Sequence, residues 1–247
     1  MISNWRILKF LILCIIIPAW AGQNDNPKIA LVFDDFGYLL PSSDVYQGFL
    51  NIDCPIAVSI IPGLPHSTQT AEDFFKAGKE VLIHMPMEAV NSYGREPICL
   101  LTGMGADTIR GLFYQSMVDI PCCVGISNHQ GSKFTGDSLS VSWFISILKD
   151  TELFCIDNLT TPKTVLYDRC RNQGIPVLKR DVFLDTNLEE GETITGRFKQ
   201  LARIAKSRGY AVGVGHRYKK TLTALQNFLN SPDAEEVEIV LPSVLLP

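Results

Sequence analysis

The chain has 247 residues, of which 22 are Lys or Arg and 26 are Asp or Glu, so its formal charge is −4 at pH 7. Such a mildly acidic chain argues against nucleic acid or an anionic membrane surface as its partner. Its seven cysteines include no C-x-x-C pair, which argues against a zinc ribbon or a thioredoxin-like redox centre.

The first 21 residues resemble an export signal in composition. Arg6 and Lys9 precede the apolar run "FLILCIII", and "AWA" forms an Ala-x-Ala cleavage motif before Gly22. The run is shorter than the roughly 20 residues of a membrane-spanning helix, which favours cleavage over an uncleaved anchor. We therefore expect a signal peptide at residues 1–21, export to the periplasm or cell envelope, and no stable membrane insertion after cleavage.

Residues 22–247 are expected to form one domain in which strands and helices alternate. Apolar runs predict strands at 28–34, 55–61, 80–85, 122–127, 152–157, 175–181, 210–215 and 236–241. Helical spacing of apolar residues predicts helices at 67–78, 105–118, 138–149, 163–173, 194–208 and 219–230. This alternation predicts an α/β fold with a mostly parallel sheet.

The first predicted strand, in "KIALVFDDFGY", ends in two adjacent acids, Asp34 and Asp35. Neighbouring carboxylates repel each other unless a cation, a hydrogen-bond donor or water offsets their charge. Asp is common in turns and Gly37 follows at once, so one interpretation is an exposed turn. The other interpretation is that the two carboxylates bind a positively charged group or ion.

Polar residues collect where the predicted strands end. The carboxyl ends of parallel strands form the face at which α/β proteins bind ligands. Three of the four histidines fall at strand ends, whereas His66 is placed at the start of a helix. The residues at strand ends are Asp34, Asp35, His84, Asn128, His129, Asp157, Asp181 and His216.

One Asp oxygen and two imidazole nitrogens form a suitable ligand set for a catalytic Zn²⁺, with a fourth position left for water or substrate. A dication would also offset the repulsion of the paired carboxylates. The second Asp would then accept a proton from water, and a third His would give a proton to a leaving group. The competing interpretation is that each His is a structural residue, and the sequence leaves Co²⁺, Mn²⁺ and Fe²⁺ open beside Zn²⁺.

Seven blocks of residues, taken together and in order, resemble the divergent polysaccharide deacetylases, a branch of the metal-dependent carbohydrate esterases. The blocks are "VFDDFGY", "SIIPGLPHS", "LIHMPMEA", "GISNHQGSKFT", "FCIDNLTT", "RDVFLDT" and "GVGHRY". The resemblance implies a distorted (β/α) barrel of seven or eight mostly parallel strands over residues 22–247. It also implies metal binding by Asp35, His84 and His129, with Asp34 as base and His216 as acid.

The sequence departs from the mainstream deacetylases at two places. Those enzymes carry both metal histidines in an H-x-x-x-H pattern, whereas His84 and His129 come from different strand ends. Their arginine motif, which orients the catalytic Asp, is missing in its usual form, and Arg180 beside Asp181 is a candidate substitute. Within the divergent branch, Arg217 follows His216 where a proline or a small residue is commoner.

Two functions are compatible with these residues. The first is an exported metal-dependent hydrolase that removes N- or O-acetyl groups from an envelope or extracellular polysaccharide. Asn128, Asp157, Arg180 and Asp181 are then candidates for orienting the reacting groups or binding the glycan, although Asp157 and Asp181 are equally compatible with capping backbone amides. The alternative is a noncatalytic envelope protein that keeps the fold, with or without its metal site, as a binding or scaffolding module.

Overall fold

The computed structural model describes residues 26–91, 96–186 and 188–247, so the expected signal peptide at 1–21 lies outside the described residues. The strands are β1 (Lys28–Phe36), β2 (Ala57–Ile60), β3 (Glu80–Met87), β4 (Gly125–Gln130), β5 (Phe154–Asp157), β6 (Val177–Lys179), β7 (Val182–Phe183), β8 (Tyr210–His216) and β9 (Glu238–Val240). The helices are α1 (Asp44–Leu50), α2 (Ser67–Lys76), α3 (Ala106–Asp119), α4 (Ser138–Leu148), α5 (Leu166–Asn172), α6 (Ile194–Arg208), α7 (Lys219–Leu229) and α8 (Pro232–Glu235), followed by a 3₁₀ helix at Pro242–Leu245.

The strands form one curled parallel sheet in the order β6-β5-β4-β3-β2-β1-β8-β7, and β9 also pairs with β1. The sheet is a half-barrel with β6 and β7 at its two edges. The prediction of a single-domain distorted (β/α) barrel with mostly parallel strands is therefore confirmed. Among the described helices, none is both long and apolar enough to cross a bilayer.

Two apolar layers lie on opposite faces of the sheet. The larger layer packs between the sheet and the helices and includes Ile29, Leu31 and Phe33 of β1. The smaller layer fills the inside of the curl, with Leu245 and Leu246 of the C-terminal segment packed against it. Its buried members are Ala30, Val32, Ala57, Leu82, Phe154, Ile156, Leu178, Val212 and Val214.

Toward the carboxyl ends of the strands, the side chains that point into the barrel change from apolar to polar and form a polar layer. Successive side chains of a strand point to opposite faces, so the residue two positions after an inward apolar residue also points inward. This rule applies to six strands that contribute to the inner layer. The residues reached in this way are Asp34, Ser59, His84, Asn158, Arg180 and His216. The carboxyl end of the barrel is therefore lined with polar side chains above an apolar floor.

Several elements differ from the predicted ones. β1 runs through both aspartates to Phe36, and β4 begins at Gly125 rather than at 122 and includes His129. The later start of β4 follows from Cys122, whose φ of 61° is incompatible with an extended strand. The sequence prediction also missed α1, α8 and the two-residue β7, since such short elements present no full hydrophobic period.

Candidate metal and catalytic site

The end of β1 brings two adjacent carboxylates to the same place. Neighbouring side chains of a regular strand point to opposite faces, but Asp35 has a φ of 67°. The pairing of β1 with β2 also shifts register between Phe33 and Phe36. This local irregularity lets Asp35 turn toward the polar layer that already holds Asp34. A non-glycine residue in this conformation is uncommon and marks a place where function is often located.

The three predicted metal ligands lie together at this point. Asp35 Oδ1 is 3.0 Å from His129 Nδ1 and 3.4 Å from His84 Nε2. One ligand atom from each residue lies within 4.8 Å of the other two. Although Asp35 Oδ1 is buried and close to both rings, neither contact has the alignment of a hydrogen bond. The three atoms therefore converge on a common point, and a carboxylate with two imidazoles fits a divalent cation such as Zn²⁺.

Charge supports the same interpretation for Asp35. Burial alone would raise the pKa of this carboxyl, but the two nearby imidazoles hold it well below its usual range. Asp35 is thus ionised over the whole physiological range of pH, as a metal ligand must be.

A serine pair orients His84. Its Nδ1 lies 2.7 Å from Ser127 Oγ, which in turn lies 2.5 Å from Ser59 Oγ. His84 and Ser127 are register partners on β3 and β4, so the sheet itself places the hydroxyl beside the ring. Because Nδ1 is engaged, Nε2 faces the convergence point, which is the arrangement by which outer contacts fix a metal-bound imidazole.

His129 has an acidic neighbour on its far side. Its Nε2 lies 3.8 Å from Glu96 Oε1, and Glu96 Oε2 accepts a 2.6 Å hydrogen bond from the Tyr38 hydroxyl. Burial and this contact with Glu96 raise the pKa of Tyr38 to about 12, so the phenol stays a donor. Glu96 is not predicted from the sequence, because it lies between β3 and α3 in a segment with no periodic pattern.

Asp34 is buried next to the convergence point. Its Oδ2 lies 3.6 Å from His84 Nε2 and accepts a 2.8 Å hydrogen bond from Asn158 Nδ2. Its Oδ1 is buried and has no hydrogen-bond partner among the described residues. Burial raises the pKa of Asp34, and the nearby His84 and His216 only partly oppose that effect. A carboxylate with a free oxygen and a raised pKa is suited to accept a proton.

His216 lies beside Asp34 and is held by Asp185. Asp34 and His216 are register partners on β1 and β8. Asp185 Oδ1 is 2.7 Å from His216 Nδ1, and its Oδ2 accepts hydrogen bonds from the His216 backbone N–H and from Thr221 Oγ1. Burial lowers the pKa of His216, but the hydrogen bond and charge of Asp185 outweigh it and raise that pKa overall. Because Asp185 engages Nδ1, the Nε2 atom of the protonated histidine is the one free to donate a proton.

Asp185 and Asn158 are two further site residues that the sequence analysis does not assign. Asp185 lies in the quoted block "RDVFLDT", where Arg180 and Asp181 had been selected instead. Asn158 follows Asp157 in the block "FCIDNLTT", from which the sequence analysis selects only Asp157, and the Asn158 side chain is buried and engaged with Asp34.

Arg180 is near the site but does not contact Asp34 by any hydrogen bond that the structure describes. Its Nε donates to the Asn158 carbonyl at 2.8 Å, and its guanidinium stacks 4.0 Å above the Phe183 ring. The described side chain that donates a hydrogen bond to Asp34 is therefore that of Asn158, and Arg180 supports the backbone of Asn158.

Asn128 and Asp157 shape the loop that carries Asn158. Asn128 Oδ1 accepts a 2.8 Å hydrogen bond from the Asn158 backbone N–H. Asp157 accepts from the Leu159 and Tyr167 backbone N–H groups and from the Thr164 hydroxyl. Asp157 thus has the amide-capping role that the sequence left open, and it does not face the convergence point.

Asp181, predicted as a neighbour of the site, lies elsewhere. Its carboxylate forms a 2.5 Å ion pair with Arg208 and accepts from the Val212 backbone N–H, four residues before His216 on β8. Of the two adjacent candidates, Arg180 and not Asp181 points inward, because inward and outward positions alternate along a strand and Arg180 follows the inward Leu178 by two.

Comparisons with known proteins identify the family of the chain. The family model for divergent polysaccharide deacetylases matches residues 31–246. The chain is 31% identical over 220 residues to the uncharacterized protein YibQ of Escherichia coli K12, covering 89% of this chain and 67% of that protein.

Solved structures share the fold. The uncharacterized protein ATU2773 from Agrobacterium tumefaciens C58 superposes with a TM-score of 0.80 at 21% identity, covering 89% of each chain. BA3943 of Bacillus anthracis, a CE4 family pseudoenzyme, gives a TM-score of 0.55 at 11% identity, covering 89% of this chain and 65% of that one. On the match of the family model and the identity to YibQ, this chain belongs to the divergent polysaccharide deacetylase family.

Proposed function

We propose that the protein is an exported, metal-dependent hydrolase that removes N- or O-acetyl groups from an envelope or extracellular polysaccharide. The observation that carries this proposal is the convergence of Asp35, His84 and His129 beside a buried carboxylate and a carboxylate-held histidine. A site that only binds metal needs the first three residues and has no need of Asp34 or of the His216–Asp185 pair.

A divalent ion held by Asp35, His84 and His129 would supply Lewis acidity that polarises the acetyl carbonyl and makes water more acidic. Asp34 accepts the proton of the attacking water through Oδ1, the oxygen that is free of hydrogen bonds. Asn158 holds Oδ2 and so fixes the direction in which Oδ1 points. Each acid or base residue of this kind contributes about 10² to 10⁴ in rate.

His216 acts as the general acid for the leaving group. Asp185 engages Nδ1, so Nε2 carries the proton that protonates the departing amine or alkoxide. The raised pKa of His216 keeps this proton in place near neutral pH. Because Asp34 and His216 are partners on neighbouring strands, the base and the acid flank one position.

The second candidate function is a noncatalytic binding or scaffold protein. It is supported by the fold shared with BA3943, which is described as a pseudoenzyme, and by the position of Arg180, the candidate for the orienting arginine, which donates to the Asn158 carbonyl and not to Asp34. Retention of a complete His216–Asp185 pair favours the hydrolase, because glycan binding alone does not require a proton donor.

Metal content, melting temperature and acetate release test the proposal together. Asp35→Ala and His129→Ala remove ligands, so each should lose most of the bound ion and the stability that a ligand of the native state confers. Asp34→Asn preserves shape and should keep ion and stability while losing acetate release from N-acetylated sugar oligomers. Chelator should abolish release by the wild type.

Equal metal content in the wild type, Asp35→Ala and His129→Ala would refute the metal site. A wild-type protein that holds its ion, binds glycan and releases no acetate would instead establish the scaffold alternative.

A further inference from the structure

Arg217 lies at the mouth of the site, directly after His216. Its guanidinium is 5.1 Å from the centre of the Tyr38 ring. The hydroxyl of that tyrosine bonds Glu96, which in turn faces His129. Arg217 is thus connected by one ring and one carboxylate to the group of residues proposed to bind metal.

The guanidinium has no anionic partner in the part of the chain that the structure describes. No carboxylate there lies within ion-pair distance of it, although Arg197 and Arg208 each have one. Its Nε is buried and donates to no described acceptor. The face of Tyr38 attracts the charge, but a ring face does not use the five in-plane N–H donors of the guanidinium. A buried donor without an acceptor lowers the stability of the folded protein, so Arg217 is suited to bind a ligand that supplies an acceptor.

We propose that Arg217 binds an anionic group, a carboxylate or a phosphate, carried by the saccharide whose acetyl group enters the site. This inference rests on the proposed function and names its substrate class: an acidic N-acetylated saccharide. The planar fork of a guanidinium matches both oxyanions in a bidentate manner, whereas a neutral sugar hydroxyl offers a weaker, single contact.

The surroundings fit a sugar that carries such a group. Tyr38 and Tyr218 are 45% and 42% exposed, and the His216 and Tyr218 rings lie 5.6 Å apart. The Tyr38 ring faces the guanidinium and Tyr218 is the next residue along the chain, so exposed aromatic rings on which a saccharide can stack lie close to Arg217.

Matched pairs of sugars test the proposal. N-acetylglucosaminyl-N-acetylmuramic acid carries a lactyl carboxylate that di-N-acetylchitobiose lacks, and N-acetylglucosamine 6-phosphate differs from N-acetylglucosamine by a phosphate. Dissociation constants are measured by calorimetry in the metal-loaded Asp34→Asn background, where turnover is suppressed, and acetate release is measured in the unmodified protein.

The background protein should bind the acidic member of at least one pair about tenfold or more tightly than the neutral member, as expected for charge-assisted hydrogen bonds. Arg217→Gln should bring that ratio close to one, and Arg217→Lys, which keeps the charge but not the fork, should give an intermediate ratio. Arg110→Gln, which removes the same charge from the exposed face of α3, should leave the ratio unchanged. The pair with the larger ratio identifies the anion.

A ratio near one for both pairs before Arg217 is changed, or a ratio that survives Arg217→Gln, would overturn the proposal. If Arg217→Gln does not fold, the dissociation constants of the Asp34→Asn protein are measured at several salt concentrations. Only the affinity for the acidic sugars should weaken as ionic strength rises. An affinity ratio that Arg217→Gln abolishes, without acetate release, would support the anion site and refute the hydrolase. Acetate release at equal rates from acidic and neutral sugars, with equal affinities, would support the hydrolase and refute the anion site.

Discussion

Asn158 sets the electrostatic character of the proposed base. Its side-chain amide holds Asp34 Oδ2 at 2.8 Å and also donates to the Asn128 carbonyl. An arginine in this place would add a positive charge and lower the pKa of Asp34. A neutral amide adds none, so burial remains the largest influence and the pKa of Asp34 stays raised.

Replacement of Asn158 should separate positioning from metal binding. Asn158→Ala leaves one buried carboxylate oxygen without its donor, so the free energy of unfolding should fall by about 1–3 kcal/mol. Metal content should be unchanged, while kcat for acetate release should fall because Asp34 is free to rotate. Asn172→Ala, which truncates an exposed asparagine on α5, is the matched control and should change neither quantity. Loss of the metal from Asn158→Ala would contradict this division of roles.

The His216–Asp185 pair should make stability depend on pH. Burial opposes both charges, but their contact lowers the pKa of Asp185 and raises that of His216. The contribution of Asp185 is present above the pKa of an unfolded aspartate and is lost as pH falls through its folded value. The contribution of His216 is present below the pKa of an unfolded histidine and is lost as pH rises through its folded value.

The difference in melting temperature between the wild type and Asp185→Asn should therefore be larger near about pH 5.5, where both groups are charged, than near about pH 9, where the imidazole is neutral. Thermal unfolding across this range measures it. A difference that does not vary with pH would show that the pair is held by geometry and not by charge.

At the scale of the strand, the alternation of side chains decides which residues meet. The inner layer leaves little room where strands approach each other. A Cβ added at Gly125 on β4 would lie 2.8 Å from Phe154 and 2.9 Å from Leu82, both of which belong to that layer. Gly125 is thus required by packing and not by backbone conformation.

Gly125→Ala should lower the free energy of unfolding by about 1–3 kcal/mol through overpacking. Gly111→Ala is the matched control, since an added Cβ on this residue of α3 meets nothing within 4 Å. It should stabilise the protein by about 0.5–1 kcal/mol, because alanine suits a helix interior better than glycine. Chemical denaturation of the two variants gives both values, and a neutral Gly125→Ala would show that the inner layer relaxes freely.

The same alternation explains how much of the site the sequence could predict. Strand ends were enough to find Asp34, His84 and His216, which follow inward apolar residues by two. Asn158 and Asp185 follow the inward residues Ile156 and Phe183 by two positions, so the same alternation would also have predicted them to point inward. Proximity to a strand end alone selected Asp157 and Asp181 instead. Asp35 breaks the alternation through its left-handed backbone, so only the resemblance to a family assigned it.

At the scale of the whole molecule, the C-terminal segment closes the base of the barrel. Leu245 and Leu246 pack against the inner apolar layer from the end opposite the site. Glu80, at the start of β3, accepts hydrogen bonds from the backbone N–H and the hydroxyl of Ser243. Burial raises the pKa of Glu80, and these two donors only partly offset that effect.

Ser243→Ala should destabilise the protein by about 1–3 kcal/mol near neutral pH, because an ionised and buried carboxylate loses a donor. The loss should be smaller near about pH 4, where Glu80 is largely protonated and needs the donor less. Denaturant titrations at the two values of pH measure it. Val244→Ser, at a neighbouring position that is 56% exposed, is the control and should be close to neutral.

The order of the strands also has a consequence for how the chain folds. β1 lies between β2, made soon after it, and β8, made near the end of synthesis. The three metal-binding candidates are thus present early, while one edge of β1 still lacks its partner and is open to wrong pairing. Contacts between such distant segments form slowly. Asp34 and His216 are brought together by the pairing of β1 with β8, so we expect a nascent chain to acquire its ion-binding half well before it has a proton donor.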